Sequence, residues 1–502
     1  MGKSGIAVTK VEIVAEIANA HQGNPDTALA LALASLAAGA DAVKFQVYFA
    51  PELLVRAHPR YEHFRNQSFA PEAWERLIGA IKAKNATVYC DVFGLTAFAA
   101  AERLGADGFK VHSSDLANKP LLQALAAAGK RVFLSAGGST VREIAYALDL
   151  LGTAGPRPVL LHGYQSYPTL VEDSALTRLP WLASIFGARC DIGYMDHVAG
   201  DDPFAVTLPL LAMSMGARMI EKHVTLDRAA KGVDWYSSLE PAELKAFVAT
   251  VRRAESAFGG RPDRFTKAER AYRATVKKHW VAARALPAGH VLQPADLESK
   301  RVPDAKGEPV EIEKLAGRAL IQPLAEEETV TRTHVRNTVW ACVVARMRSS
   351  RLPGKALLDM AGMPALGHLF ARLKQFRRVD RIVFCTTTLP EDDALAQLAG
   401  RHDVPVHRGP VEDVLGRMLG ALEGHKVDVV LRVTGDDILV DPDYADAAIE
   451  HHLRTNAEYS DLKALPSGTE VEVFDADLLR AIHRLSQDAD GTEYLTTYVI
   501  EN

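Results

Sequence analysis

C-D-I-G-Y-M-D-H at 190–197, followed by M-I-E-K-H at 219–223, is the stretch that decides the reading of this chain. The apolar runs 191–194 and 217–222 are short and bounded by turn or helix signals, as buried parallel strands are. Each delivers a histidine just past its end, His197 after the first and His223 after the second. Between them 203–216 reads as one helix, which makes the unit strand–helix–strand. In an α/β barrel the carboxyl ends of the strands are where chemistry is built. Two neutral imidazoles converging there form a half-site for a divalent metal. The plainer reading is a pair of core or rim histidines; their place at matching ends of consecutive strands favours ligation.

Working outward, 502 residues are enough for two or more domains with sizeable cores. The net charge of −5, with both signs interspersed, offers no nucleic-acid or membrane surface. Cys90, Cys190, Cys342 and Cys385 are far apart, without CxxC spacing, and read as reduced buried thiols. No leader-like apolar segment opens the chain, and no apolar run reaches the ~18 residues of a membrane span. A soluble cytoplasmic protein is the expectation.

The first 260 residues alternate strand and helix. Strands are expected at 11–17, 42–47, 87–92, 108–112, 131–135, 158–162, 191–194 and 217–222, with helices such as 26–38, 71–84, 140–151 and 241–258 between them. Asn24-Pro25-Asp26 and Thr140 with Glu143 are helix-start signals. Eight such units make a (β/α)8 barrel of residues 1–265. The strand ends then share polar chemistry: Glu16, Lys44, Gln46, Asp91, Lys110, Ser113, Asp115, Ser135, His162, Gln165 and Tyr167. Lys44 and Lys110 lie inside apolar runs, and burying an ammonium is costly unless an anion meets it. Pairing with Glu16 or Asp115 accounts for one lysine. Two lysines with serines and a metal site on one rim favour an anionic, phosphorylated substrate.

These motifs resemble the sialic acid synthase family. A-E-I-A-N-A-H-Q-G (15–23), V-K-F-Q (43–46), K-V-H-S-S-D-L (110–116), L-S-A-G-G-S-T (134–140), Y-Q-S-Y-P-T (164–169), I-G-Y-M-D-H (192–197) and I-E-K-H-V-T-L-D (220–227) stand in that family's order. The resemblance implies condensation of phosphoenolpyruvate with an N-acylated aminosugar of the N-acetylmannosamine type, releasing phosphate and giving a nine-carbon 2-keto acid. It implies Mn2+ or Mg2+ on His197 and His223, with Glu16 nearby through water. Lys110, Ser113, Ser135 and Gln165 would face phosphoenolpyruvate, with Lys44 near its carboxylate, while Gln46, Asp115, Tyr167 and Asp234 would hold the sugar. The acid/base group is Glu16 or Asp115. Three positions depart from the family pattern: Asp91 stands for threonine, Gln165 for asparagine and Met195 for serine. Met195 lies two residues before His197, so in a strand it shares that residue's face.

A charged helix at 267–278 leads to a compact module, 279–337. V-A-A-R-A-L-P-A-G-H-V-L-Q-P-A-D-L-E-S-K-R-V-P (281–303) resembles the antifreeze-like SAF domain, a small β-rich unit. The resemblance implies a domain-exchanged homodimer in which Arg301 reaches the partner's sugar; the plainer reading of Arg301 is a surface charge. From 338 to 502 a new α/β, Rossmann-like domain begins. Its first strand, 339–345, runs into R-M-R-S-S-R-L-P-G-K (346–355), in form a cradle for nucleotide phosphates. With G-D-D (435–437) it resembles the spore-coat polysaccharide branch of the cytidylyltransferases. That implies CTP as a ligand, with Arg346, Arg351 and Lys355 on the triphosphate and Asp436 on Mg2+. The domain is shorter than is usual there, and Tyr494 stands where that family has histidine, so a truncated or degenerate second activity is expected. Two readings of different class stay open: a bifunctional enzyme that makes and activates a nonulosonic acid for surface polysaccharide, and a non-catalytic or regulatory homologue with a degenerate phosphate site.

Overall fold

Eight short strands, β1 Glu12–Glu16, β2 Ala42–Val47, β3 Thr87–Val92, β4 Gly108–Val111, β5 Arg131–Ser135, β6 Val159–His162, β7 Asp191–Asp196 and β8 Met219–His223, pair in parallel in that order, and β8 closes back on β1. This computed structural model describes residues 10–166, 168–258, 264–303, 307–348, 352–462, 465–466 and 468–485. The chain divides into two compact units, 1–262 and 263–502.

The helices of the barrel are α1 Pro25–Ala37, α2 Ala50–Leu53, α3 Tyr61–Gln67, α4 Pro71–Lys82, α5 Leu95–Arg103, α6 Lys119–Ala128, α7 Val141–Leu151, α8 Arg178–Phe186, α9 Phe204–Ser214 and α10 Pro241–Ala257. Start signals act as the sequence suggests: Asn24 accepts from the amides of Asp26 and Thr27, and Thr140 and Glu143 form a reciprocal capping box. The β2–β3 connection carries two short helices, α2 and α3, before α4. These had no periodic signal, because four and seven residues are too short to show one.

Side chains alternate along each strand, which sorts the barrel interior into layers. Val14, Ala42, Tyr89, Phe133, Val159, Leu161, Met195 and Met219 form an apolar plug. Two residues further along the same strands come Glu16, Lys44, Asp91, Ser135, His197 and Glu221. The opposite, amino-terminal end is closed by matched charges, Arg131 on Glu12 and Arg252 on Asp41. One end of the plug is thus neutralised, and the other carries the polar rim.

The second unit begins with α11 Lys267–Val276 and a small β module built on β9 Lys278–Ala282 and β10 Leu297–Arg301, paired antiparallel. Isolated bridges such as Leu286 with Leu324 and Leu320 with Val335 close it around a core that includes Leu292, Leu297 and Leu315. An α/β domain follows: β11 Val339–Val344, the hairpin β12 Asp359–Met360 and β13 Met363–Pro364, α12 Ala365–Leu373, β14 Arg381–Thr387, α13 Asp393–Arg401, β15 Val406–Gly409, α14 Val414–Ala421, β16 Val429–Thr434, α15 Pro442–Thr455, β17 Tyr459–Asp461, β18 Glu472–Asp475 and α16 Ala476–Leu485. Its six-stranded sheet has the order β15-β14-β11-β16-β18-β17, in which β18 runs antiparallel to both β16 and β17.

The small module and the α/β domain are joined through buried charges. Arg318 grips Asp428 with both terminal nitrogens, and Arg332, 1% exposed, donates to Asp475 at 2.6 Å. Lys314 reaches the same Asp475 oxygen at 3.0 Å, and Asn456 donates to the Pro309 carbonyl at 2.8 Å. The SAF-like and nucleotidyltransferase-like parts, expected as separate domains, thus share buried ion pairs within the unit 263–502.

Candidate active site

At the carboxyl rim of the barrel the rings of His197 and His223 lie 4.9 Å apart between centroids. His197 directly follows β7; His223 is the last residue of β8 rather than lying beyond it, because pairing with Glu16 extends that strand. Burial holds both imidazoles below their usual pKa, His223 at about 3, so both are neutral at physiological pH. His197 Nδ1 is buried without a hydrogen-bond partner. Neutral, adjacent nitrogens with an unused lone pair suit a divalent cation. Among the described residues no three His, Cys, Asp or Glu side chains converge in metal-holding geometry, so the histidines stand as a pair.

Beside them lies a buried lattice of two lysines and three carboxylates. Lys44 pairs with Glu16 and lies 3.2 Å from Glu221 and 3.5 Å from Asp91. Lys110 donates to Glu221 at 2.7 Å and stands 3.9 Å from Asp91. Pairing with Glu16 or Asp115 was the plainer reading for one of these lysines. Glu16 does meet Lys44, but the partner of Lys110 is Glu221, while Asp115 accepts from Ser114 and Asn118 at 3.0 Å each. Position explains the difference: Asp115 lies in the turn after β4, whereas Glu221 points inward from β8 at the level of Lys110. Burial raises the Glu16 carboxyl to about 7, with Lys44 opposing and Glu221 adding to the rise. Burial also acts to raise Glu221, but Lys110 and Lys44 outweigh it and hold that carboxyl well below its usual range. Glu221 was missed by sequence reasoning, although M-I-E-K-H carries the signal. With His223 facing in, residue 221 must face in as well.

The remaining residues fall around this lattice. Gln165 donates to Asp234 at 3.2 Å, and the other Asp234 oxygen lies 3.9 Å from His223 Nδ1. Gln46 accepts from Asn19 at 3.4 Å, and Asn19 in turn accepts from Tyr48 at 2.6 Å. Ser113 opens the short turn after β4, and Ser135 Oγ lies 3.9 Å from the Met195 sulfur. Met195 faces inward with His197, in the apolar plug just below the rim. Tyr167 lies outside the described residues. Behind the site Lys222, fully buried and outward from β8, pairs with Asp196 of β7 and donates to the Ala205 carbonyl of α9 at 3.0 Å.

The NeuB family matches residues 31–262, the SAF domain 280–336 and the cytidylyltransferase family 340–501. An uncharacterised protein of Methanocaldococcus jannaschii is 31% identical over 290 residues, which are 58% of this chain and 84% of that protein. The chain belongs to the NeuB family. Other NeuB relatives are the N-acetylneuraminate-9-phosphate synthase of Mus musculus, 29% identical over 65% of this chain and 92% of that one, and the N,N'-diacetyllegionaminic acid synthase of Legionella pneumophila, 28% identical over 64% and 94%.

In the second unit Arg301 ends β10 opposite Lys278, exposed to solvent. Lys355 pairs with Asp436 across the carboxyl ends of β11 and β16. Arg346 lies 3.5 Å from the Val411 carbonyl and 3.6 Å from Glu412. Arg351 and Tyr494 lie outside the described residues. Among the described residues no helix is long and apolar enough to cross a membrane.

Proposed function

We propose that the NeuB-family barrel is a transferase that joins carbon 3 of phosphoenolpyruvate to the aldehyde carbon of an N-acylated aminosugar, releasing phosphate. The observation that carries this is the meeting of a neutral histidine pair with the Lys110–Glu221 pair on one rim. Such a rim has a place for a metal and cationic donors for an anion. His197 and His223 would hold Mn2+ or Mg2+, which when bound supplies a Lewis acid for the aldehyde oxygen.

The chain's own residues account for the rest. Lys110, with Ser113, Ser135 and Gln165, orients phosphoenolpyruvate; Lys44, enclosed by carboxylates, fixes the lattice from below. Gln46, Asp115, Tyr167 and Asp234 are the sugar-facing groups. The new carbon–carbon bond leaves carbon 2 electron-poor, water adds there, and the carbon–oxygen bond to phosphate breaks. Glu16, at about 7, is poised both to hold and to give up a proton, which the aldehyde oxygen needs and the attacking water sheds. Of the two carboxyl candidates it is the acid/base in this reading, since burial lifts its pKa to near neutrality.

The second unit supports CMP activation of the resulting keto acid, on the Lys355–Asp436 pair beside the basic loop. The family resemblance also supports a dimer in which Arg301 serves the partner's barrel. Phosphate release from phosphoenolpyruvate, measured over a panel of N-acylated aminosugars and their phosphates with Mn2+, tests the synthase. Absence of turnover with every sugar would leave the regulatory reading, for which the extra carboxylate Asp91 beside both lysines speaks.

A further inference from the structure

Arg417, in α14, is 1% exposed, and its Nε and Nη1 have no hydrogen-bond partner. A guanidinium stays protonated, so a buried one must be met by an anion or acceptor. Its stem crosses the carboxyl end of β15, where a Cβ on Gly409 would sit 2.8 Å from Arg417 Cγ. That glycine makes room for the arginine. Gly409 pairs with Thr387 at the carboxyl end of β14, the end of the sheet that also carries Lys355 and Asp436 and at which parallel α/β sheets take their ligands.

The acids nearby are engaged elsewhere. Asp392 accepts from the Met347 amide at 2.7 Å and from the Thr387 hydroxyl. Asp413 accepts from the Gly416 amide at 2.7 Å, and its other oxygen meets His483 at 3.0 Å. After burial itself, Arg346 is the strongest influence against the Arg417 charge, and Arg346 lies over the 411–412 turn that leads into α14. Arg346 and Arg417 thus flank one turn, 411–413, at the carboxyl end of the sheet, and Arg417 has unused donors.

We propose that Arg417 is a phosphate-binding residue of the nucleotidyltransferase site, seating a phosphate of the nucleoside triphosphate together with Arg346. The inference rests on reading 338–502 as a nucleotidyltransferase. A multiply charged phosphate chain is the ligand class that offsets two adjacent cations and accepts several N–H donors at once.

Calorimetric titration and thermal unfolding of the full chain, with CTP plus Mg2+ and separately with inorganic triphosphate, test it. Arg417→Met should weaken both probes by ~10–100-fold, the loss of one charge-assisted contact. The same variant should raise the ligand-free unfolding midpoint by ~2–4 °C, because an uncompensated buried charge is gone. Arg417→Lys keeps the charge but not the fork and should lose ~3–10-fold. Should the methionine variant fail to fold, lysine-variant affinity equal to wild type would overturn the proposal. A lower midpoint with unchanged binding in Arg417→Met would make the arginine structural and overturn it too. Wild-type binding of triphosphate through Arg417 without binding of CTP would sustain this proposal and sink the cytidine reading. Binding of neither probe by wild type would overturn the proposal.

Discussion

Asp91 sits 3.5 Å from Lys44 and 3.9 Å from Lys110, where the family pattern has a neutral hydroxyl. A carboxylate at that range repels an incoming phosphate and competes for both lysines; at an effective dielectric near 20 one such charge weighs up to ~4 kcal/mol. Asp91→Thr is therefore expected to lower the Michaelis constant for phosphoenolpyruvate by ~10-fold or more and to leave that of the sugar nearly unchanged. Steady-state kinetics with each substrate varied in turn checks this; an unchanged constant would mean that Asp91 only balances the lysines. Met195 poses a different question. It packs in the apolar plug with Tyr89, Phe133 and Leu161, so Met195→Ser opens a cavity and is expected to cost ~2–4 kcal/mol of stability. Denaturant unfolding reads that directly, and a loss below ~1 kcal/mol would show that the plug collapses around serine.

At the scale of elements, the β7–β8 pair holds the histidines in place from behind. Lys222, fully buried, ties β8 through Asp196 to β7 and through the Ala205 carbonyl to α9. Removing the anion strands a buried ammonium, so Asp196→Ala is expected to cost ~3–5 kcal/mol, whereas Asp196→Ala with Lys222→Met should recover most of it. A double-mutant cycle in thermal unfolding checks the pair, and additive losses would mean that the two side chains act separately. The single variant is also expected to weaken Mn2+ binding, because the strand that carries His197 loses its anchor.

These strands were legible because each is an apolar run ended by a turn signal, and six of the eight keep their expected limits to within one residue at both ends. The site was legible where a motif names a residue and less so where geometry does. Glu221 hid within a strand that had already been searched for its histidine. Arg417 hid because an arginine in a short amphipathic helix reads as a solvated face; only the bare edge at Gly409 turns it inward.

For the whole molecule, the second unit depends on charges far apart in sequence, which no local pattern announces. Burial pushes Asp475 up, and Arg332 with Lys314 outweigh it; burial likewise raises Asp428, and Arg318 with the Thr338 amide outweigh it. Both carboxyls end below their usual range. A depressed folded pKa adds stability above the unfolded pKa and loses it as pH falls through the folded one. The unit 263–502 is thus expected to hold its unfolding midpoint down to about pH 4 and lose it steeply below. Arg318→Met should flatten that slope in melts recorded from pH 3 to 6, and an unaltered slope would place the acid sensitivity elsewhere. In the proposed dimer, mixing inactive Arg301→Ala and His197→Ala chains should regenerate activity in the heterodimer; continued inactivity after verified subunit exchange would place each complete site within one chain.

The charges that join the small β module to the α/β domain also bear on ancestry. Arg318 and Asp428, like Arg332 and Asp475, face each other across the boundary at residues 337 and 338: a recombination crossover there that brings in a foreign module separates each arginine from its aspartate. Each such exchange leaves buried charges orphaned and a lineage to repair them.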